Sequence, residues 1–219
     1  MRTPRVTVIG AGAGGLAAAI DLARSGAAVT VLERAATPGG KIRQSQVAGV
    51  GVDAGPTVLT MRWVFDALFS DAGTSLASHL TLHPTELLAR HAWSGTERLD
   101  LFADIGRSAD AIGRFAGSAE AAGYRSFCAR AQRVYRTLEG PFIRAPRPTA
   151  VSLAAASGVS EMFSISPFAT LWKALGDHFR DPRLRQLFGR YATYSGSSPF
   201  QSPATLMLIA HVEQQGVWL

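Results

Sequence analysis

Two glycine-rich segments within the first 43 residues have the composition to hold a phosphate-bearing group. In Gly10-Ala11-Gly12-Ala13-Gly14-Gly15, a backbone largely stripped of side chains can come close to a pyrophosphate. Gly10 permits a tight turn, Gly12 a close backbone approach, and Gly15 close packing of helix on strand. The spacing predicts a strand at Val6–Gly10, a helix over Leu16–Ser25 and a second strand at Val29–Arg34. Backbone N–H groups from Gly12 through Ala13 and Gly14 to Leu16 would then point at the ligand with the positive end of the helix dipole. Glu33 ends the second strand about twenty residues later, where an acidic group accepts hydrogen bonds from a ribose. Its charge disfavours a 2′-phosphate, and Arg34 beside it joins the candidate cofactor-binding residues.

The second segment is Pro38-Gly39-Gly40-Lys41-Ile42-Arg43. Gly39 and Gly40 offer a second backbone approach to phosphate, with Lys41 and Arg43 supplying charge-assisted hydrogen bonds. A type II turn with solvated cations is the simpler alternative. Taken with the first segment, the pattern resembles the flavoprotein superfamily that includes amine oxidases and carotenoid desaturases, and it favours FAD over NAD.

These motifs need elements to position them. Val47–Val52 alternates as a strand and runs into Asp53-Ala54-Gly55-Pro56-Thr57, a loop with a rigid corner. Thr60 is placed to cap a helix carrying Met61, Val64, Phe65, Leu68 and Phe69, stopped at Asp71-Ala72-Gly73. Leu80–His83, Leu87–Trp93 and Arg98–Phe102 read as strands, the last two as a hairpin around Ser94-Gly95-Thr96. Helices follow at Asp104–Phe115 and Ala119–Leu138, the latter with an apolar stripe of Tyr124, Phe127, Ala131, Val134 and Leu138. Further helices are expected at Phe168–Phe179, at Arg183–Thr193 behind Asp181-Pro182, and at Ala204–Val212 behind Ser202-Pro203. The fold class is α/β: a Rossmann-like FAD-binding domain, incomplete here, with an inserted, largely helical α+β substrate domain. Its boundaries read as 1–60 for the nucleotide-binding part, 61–193 for the substrate and membrane-facing region, and 194–219 for a return segment. Too few parallel strands are present for a whole doubly wound domain, so an N-terminal piece of a longer protein is expected.

Composition removes several function classes. The chain has 219 residues, 47% hydrophobic and 17% charged, with a net charge of +6. The positive excess forms no block, which argues against nucleic-acid binding. Cys128 is the single cysteine, so no disulfide framework exists, and its neighbours suggest a buried helix position. His79, His83, His91, His178 and His211 lack metal-ligand spacing. No stretch reaches the ~20 apolar residues of a membrane span.

With these residues read, the chain resembles the bacterial carotenoid (phytoene-type) desaturases over essentially its whole length. Asp53-Ala54-Gly55-Pro56-Thr57 resembles the family's segment that passes close to the flavin, which adds Gly55, Pro56 and Thr57 to the candidate cofactor-binding residues. Tyr194-x-Gly196-x-x-Pro199, Pro203-Ala204 and Gly216-Val217-Trp218 resemble the stretch leading back to the flavin domain. Thr57–Phe65 and Tyr191–Gly196 are closest to the methoxyneurosporene dehydrogenases, or 1-hydroxycarotenoid 3,4-desaturases. The resemblance implies FAD-dependent desaturation of an acyclic carotenoid by hydride transfer to flavin N5. It implies no particular electron acceptor, and the residues single out no catalytic acid or base. It also implies a cytoplasmic protein held peripherally at the inner membrane, with the loop Pro141–Pro148 (Phe142 and Ile143 beside Arg144 and Arg147) as the candidate membrane contact. Phytoene or an amine as substrate, and a flavin-free binding module like the GDP-dissociation inhibitors, are the alternatives.

Overall fold

The strand–turn–helix–strand order is realised at the start of the chain. A computed structural model describes residues 2–145, 149 and 168–219. Strand β1 (Arg5–Ile9) lies parallel to β2 (Ala28–Leu32), with Val6 opposite Val29 and Val8 opposite Val31. Helix α1 (Ala13–Arg24) makes the crossover that a parallel pair requires. It begins at Ala13 rather than Leu16, because the turn itself feeds the helix and Gly12 is its N-cap.

Three local expectations change in the next fifty residues. The strand expected over Val47–Val52 is a hairpin, β3 (Gln44–Val47) and β4 (Val50–Asp53), paired antiparallel. Ala48 and Gly49 between them both have positive φ, the two-residue turn whose twist suits a hairpin. Helix α2 (Arg62–Asp71) is not capped by Thr60; its N-cap is Met61, in the left-handed region at φ 50°, without a side-chain cap. Leu80–His83 forms no strand. Instead the His83 N–H donates to the Leu219 carbonyl, and Leu59 and Trp218 exchange two backbone hydrogen bonds of 2.9 Å.

Antiparallel β5 (Leu87–Ala92) and β6 (Arg98–Phe102) form the expected hairpin. Asp104 caps α3 (Ile105–Ala116), its carboxylate accepting the Arg107 N–H at 2.7 Å. Helix α4 (Ser118–Leu138) buries the whole predicted stripe, from Tyr124 to Leu138. The helix expected from Phe168 begins later, as α5 (Leu171–Gly176) capped by Thr170, and Phe168 is exposed. Asp181 and Pro182 start α6 (Pro182–Gly189) as expected, and tighter turns continue it over Arg190–Ser195. Ser202 caps nothing; a 3-10 turn at Ala204–Met207 leads into α7 (Leu208–Gln214).

Backbone proximity separates two units, Met1–Pro84 with Trp218–Leu219, and Thr85–Val217. The second, helical unit contains a dense aromatic core. Phe188 lies 4.8 Å from Phe179, 4.9 Å from Phe127 and 5.6 Å from Tyr124, ring centre to ring centre. All four rings are buried, and each contributes on the order of 1.5–3 kcal/mol of burial.

Candidate dinucleotide-binding site

The two glycine-rich segments meet each other, and the Asp53–Thr57 loop meets the second. Gly10, at φ 99°, turns the chain out of β1, and its N–H still donates to the Leu32 carbonyl at 2.7 Å. A Cβ on Gly15 would stand 2.0 Å from the Gly10 carbonyl oxygen, so no side chain fits where α1 crosses the end of β1. Gly39 donates to the Ala11 carbonyl at 2.9 Å. A Cβ on Gly40 would come 3.1 Å from the Gly12 Cα, and one on Gly55 would fall 1.8 Å from the Lys41 carbonyl oxygen. Backbone at 10–15, at 39–41 and at 54–55 is therefore stacked, with no side chain between the segments where the glycines meet. The second segment was expected to approach a phosphate itself; what the structure shows is its glycines packed directly on the first turn.

Glu33 is tied into this stacked glycine wall. Its Oε2 accepts the Ala11 N–H and its Oε1 the Ala35 N–H, each at 2.7 Å. These N–H groups, Ala35 first and Ala11 next, hold its carboxyl below the ordinary value of 4.5. The carboxylate is exposed, and each oxygen keeps a lone pair for a ribose hydroxyl. Gly12 contributes no side-chain cap, so the first N–H groups of α1, at Ala13, Gly14 and Gly15, lack side-chain partners. Exposed main-chain donors, a glycine wall and an ionised carboxylate at the end of β2 fit the pyrophosphate and ribose of a dinucleotide. Arg34, Lys41 and Arg43 sit at the surface of this unit, as do Pro56 and Thr57.

The helical unit holds a polar cluster that the sequence did not disclose. Glu213 is 7% exposed, and its carboxylate accepts hydrogen bonds from Arg190 at 2.8 and 3.0 Å. Tyr191 and Tyr194 donate to the same carboxylate at 2.9 and 3.2 Å. Burial, then the neighbouring Glu213 charge, pushes the Tyr191 phenol far up, so it stays a donor. One signal was present in the sequence: Glu213 shares a helix face with Ile209, an apolar face on which a charge needs a partner. Cys128 is buried as expected, with its thiol pKa raised by burial. Among the described residues no group of three acidic, histidine or cysteine side chains could hold a metal ion. No described helix is long and apolar enough to cross a membrane.

Comparison with known proteins agrees with this geometry. Residues 8–70 match the model of the NAD(P)-binding Rossmann-like domain. Over its full length the chain is 56% identical to a hydroxyneurosporene desaturase from Rubrivivax gelatinosus, of which it covers 42%. It is 46% identical over 98% of its length to the hydroxyneurosporene desaturase of Cereibacter sphaeroides, covering 44% of that protein. A phytoene dehydrogenase from Streptomyces griseus is more distant, at 33% identity over 95% of the chain. The chain thus spans less than half the length of the curated relatives it matches. Its fold is shared with a putrescine oxidase structure, at TM-score 0.57 and 16% identity, over 96% of this chain and 42% of that one.

Proposed function

We propose that this chain, similar along its whole length to hydroxyneurosporene desaturases, is the cofactor-binding and substrate-facing portion of an FAD-dependent carotenoid desaturase. The observation that carries the reading is the 56% identity over the entire chain, joined to a glycine wall and Glu33 arranged for a dinucleotide. When bound, FAD supplies the oxidant, accepting a hydride from one carbon of an acyclic polyene while the adjacent carbon loses a proton. The chain's own residues do the holding. Main-chain donors at the start of α1 neutralise the pyrophosphate, and Glu33 fixes the ribose. Lys41 and Arg43 add cations beside the glycine wall. An extended conjugated substrate stabilises the charge that develops as hydride leaves, so the protein's task is chiefly to position one C–C bond. The substrate best matching the relatives is a 1-hydroxylated acyclic carotenoid, oxidised at its 3,4 bond.

We also propose a peripheral membrane contact through the apolar residues Phe142 and Ile143. Phe142 is 51% exposed at the end of the turn Glu139–Ile143, suited to shallow insertion together with Ile143. Arg144 is engaged by Glu139 at 2.7 Å, and Arg147 lies outside the described residues. Replacing Phe142 and Ile143 with Ser should weaken liposome binding with flavin content unchanged; undiminished liposome binding would remove this contact from the account.

The substrate assignment is tested with the full-length protein, supplied with FAD and membranes and given a 1-hydroxylated acyclic carotenoid or phytoene. Loss of two hydrogens with a red shift in pigment absorbance on the hydroxylated substrate alone is the expected result. Turnover of phytoene instead would keep the family chemistry and discard the substrate. No reaction by a flavin-loaded protein would discard the carotenoid reading.

A further inference from the structure

Within the helical unit, four arginines from four different elements line one pocket of about 700 Å³: Arg90 on β5, Arg98 on β6, Arg114 on α3 and Arg183 on α6. Two of them are already neutralised. Arg90 makes a two-pronged pair with Asp100, both bonds 2.8 Å. Arg183 is held by Asp181 and by Glu97, the latter at 2.6 Å. Glu97 and Asp100 are the only acidic residues lining the pocket, and both are committed to these pairs. Arg98 and Arg114 are exposed and form no hydrogen bond or ion pair among the described residues. Two guanidinium groups without an acidic partner therefore line one pocket, where a bound anion would supply the missing counter-charge.

Apart from Thr96, the remaining lining is apolar. Leu99 is buried, and Phe115 is clamped between Trp93, stacked at 5.3 Å, and the Arg183 guanidinium at 4.2 Å. Phe102 is braced in turn by the Arg107 guanidinium at 4.3 Å.

We propose that this pocket binds a phosphate-type oxyanion carried on a small or apolar body, with Arg98 and Arg114 as its ligands. The guanidinium fork matches two phosphate oxygens at once, and a doubly charged phosphate cancels both free cations. The phosphate belongs either to an anionic lipid headgroup or to a soluble ester. The site is separate from the glycine wall, which lies in the other unit.

The test uses the full-length, flavin-loaded protein. Glycerol 3-phosphate and inorganic phosphate are titrated by calorimetry, and sedimentation is measured with phosphatidylcholine vesicles with and without phosphatidylglycerol. The variant carries Arg98→Ala and Arg114→Ala, and Arg133→Ala, at an exposed position of helix α4, is the control. The double variant should bind at least about tenfold more weakly, one to two charge-assisted hydrogen bonds having been removed, while the control binds normally. Added salt should weaken the wild type more than the double variant. An effect confined to phosphatidylglycerol vesicles assigns the lipid source, and an effect on glycerol 3-phosphate assigns the soluble one. Replacing both arginines with Lys should restore part of the affinity, which excludes a merely misfolded variant. Absence of binding by every probe, or binding indifferent to the double substitution, overturns the proposal.

Discussion

The nucleotide unit and the helical unit are stabilised by different means. In the nucleotide unit only Ala11 and Leu76 are buried hydrophobics among the described residues; the others all belong to the helical unit. The parallel pair β1–β2 packs Val6, Val8, Val29 and Val31 toward α1, as the 3.6 Å approach of the Gly15 position to Val8 shows. Its opposite face is bare: Ile9 is 88% exposed and Leu32 54%. Parallel sheets are ordinarily covered on both faces. What holds this unit is therefore backbone geometry, namely glycine-on-glycine contacts, a parallel ladder and the Glu33 carboxylate bonded to two main-chain N–H groups. The helical unit is held by interdigitated aromatic rings and one buried charge cluster. A cofactor site needs exposed main-chain donors, and a core needs them hidden, so the two demands have been met in different parts of the chain.

That contrast can be broken from either side. The largest effect is expected from Gly15→Val in the full-length protein. The new side chain collides with the Gly10 carbonyl, so bound dinucleotide should be lost entirely while thermal unfolding of the helical unit is unchanged. Loss of both together would show that the units are not energetically distinct. Phe188→Ala attacks the other side. It removes a ring shared by Phe127, Phe179 and Tyr124, at a cost of about 3–5 kcal/mol, measured by urea unfolding. A cost below about 1 kcal/mol would mean that the aromatic cluster is not the core it resembles.

Glu213→Gln sharpens the comparison by asking whether buried charge matters as much as buried rings. Arg190 would lose its counter-ion while Tyr191 and Tyr194 keep an acceptor, for a loss of about 3 kcal/mol in the same assay. The smallest effect is expected at Glu33. Glu33→Gln should weaken dinucleotide binding about tenfold, as removal of a charged acceptor does, with no measurable change in the helical unit. The carboxyl is held below its ordinary value of 4.5, so its contribution is present above that pH and is lost as pH falls through the lowered folded value. Cofactor retention should therefore be flat from neutral pH to about 5 and decline only below. A decline already near pH 6 would assign the titration to another group.

What could be read from the sequence divides by range and not by unit. The placement of Gly10, Gly12 and Gly15 in the turn and of Glu33 beyond β2 was legible because it depends on local geometry at fixed spacing. The α4 stripe and the Asp104 and Asp181 helix starts were legible for the same reason. Expectations failed where the backbone did something that side-chain preference opposes. Met61 takes a left-handed conformation ahead of α2, leaving Thr60 outside, and Ala48 does the same in the hairpin. The Arg190–Glu213 cluster was hidden for a different reason. Glu213 stands 19 to 23 residues from its partners and meets them only through tertiary packing. Likewise, Arg90, Arg98, Arg114 and Arg183 read as scattered surface cations until four elements bring them to one pocket.

The most direct test of the central claim is the identity of the dinucleotide released from the purified, full-length protein by mild denaturation. The account predicts one FAD per chain, absent from the Gly15→Val variant. Release of a nicotinamide dinucleotide, or of no dinucleotide from a folded protein, would contradict it.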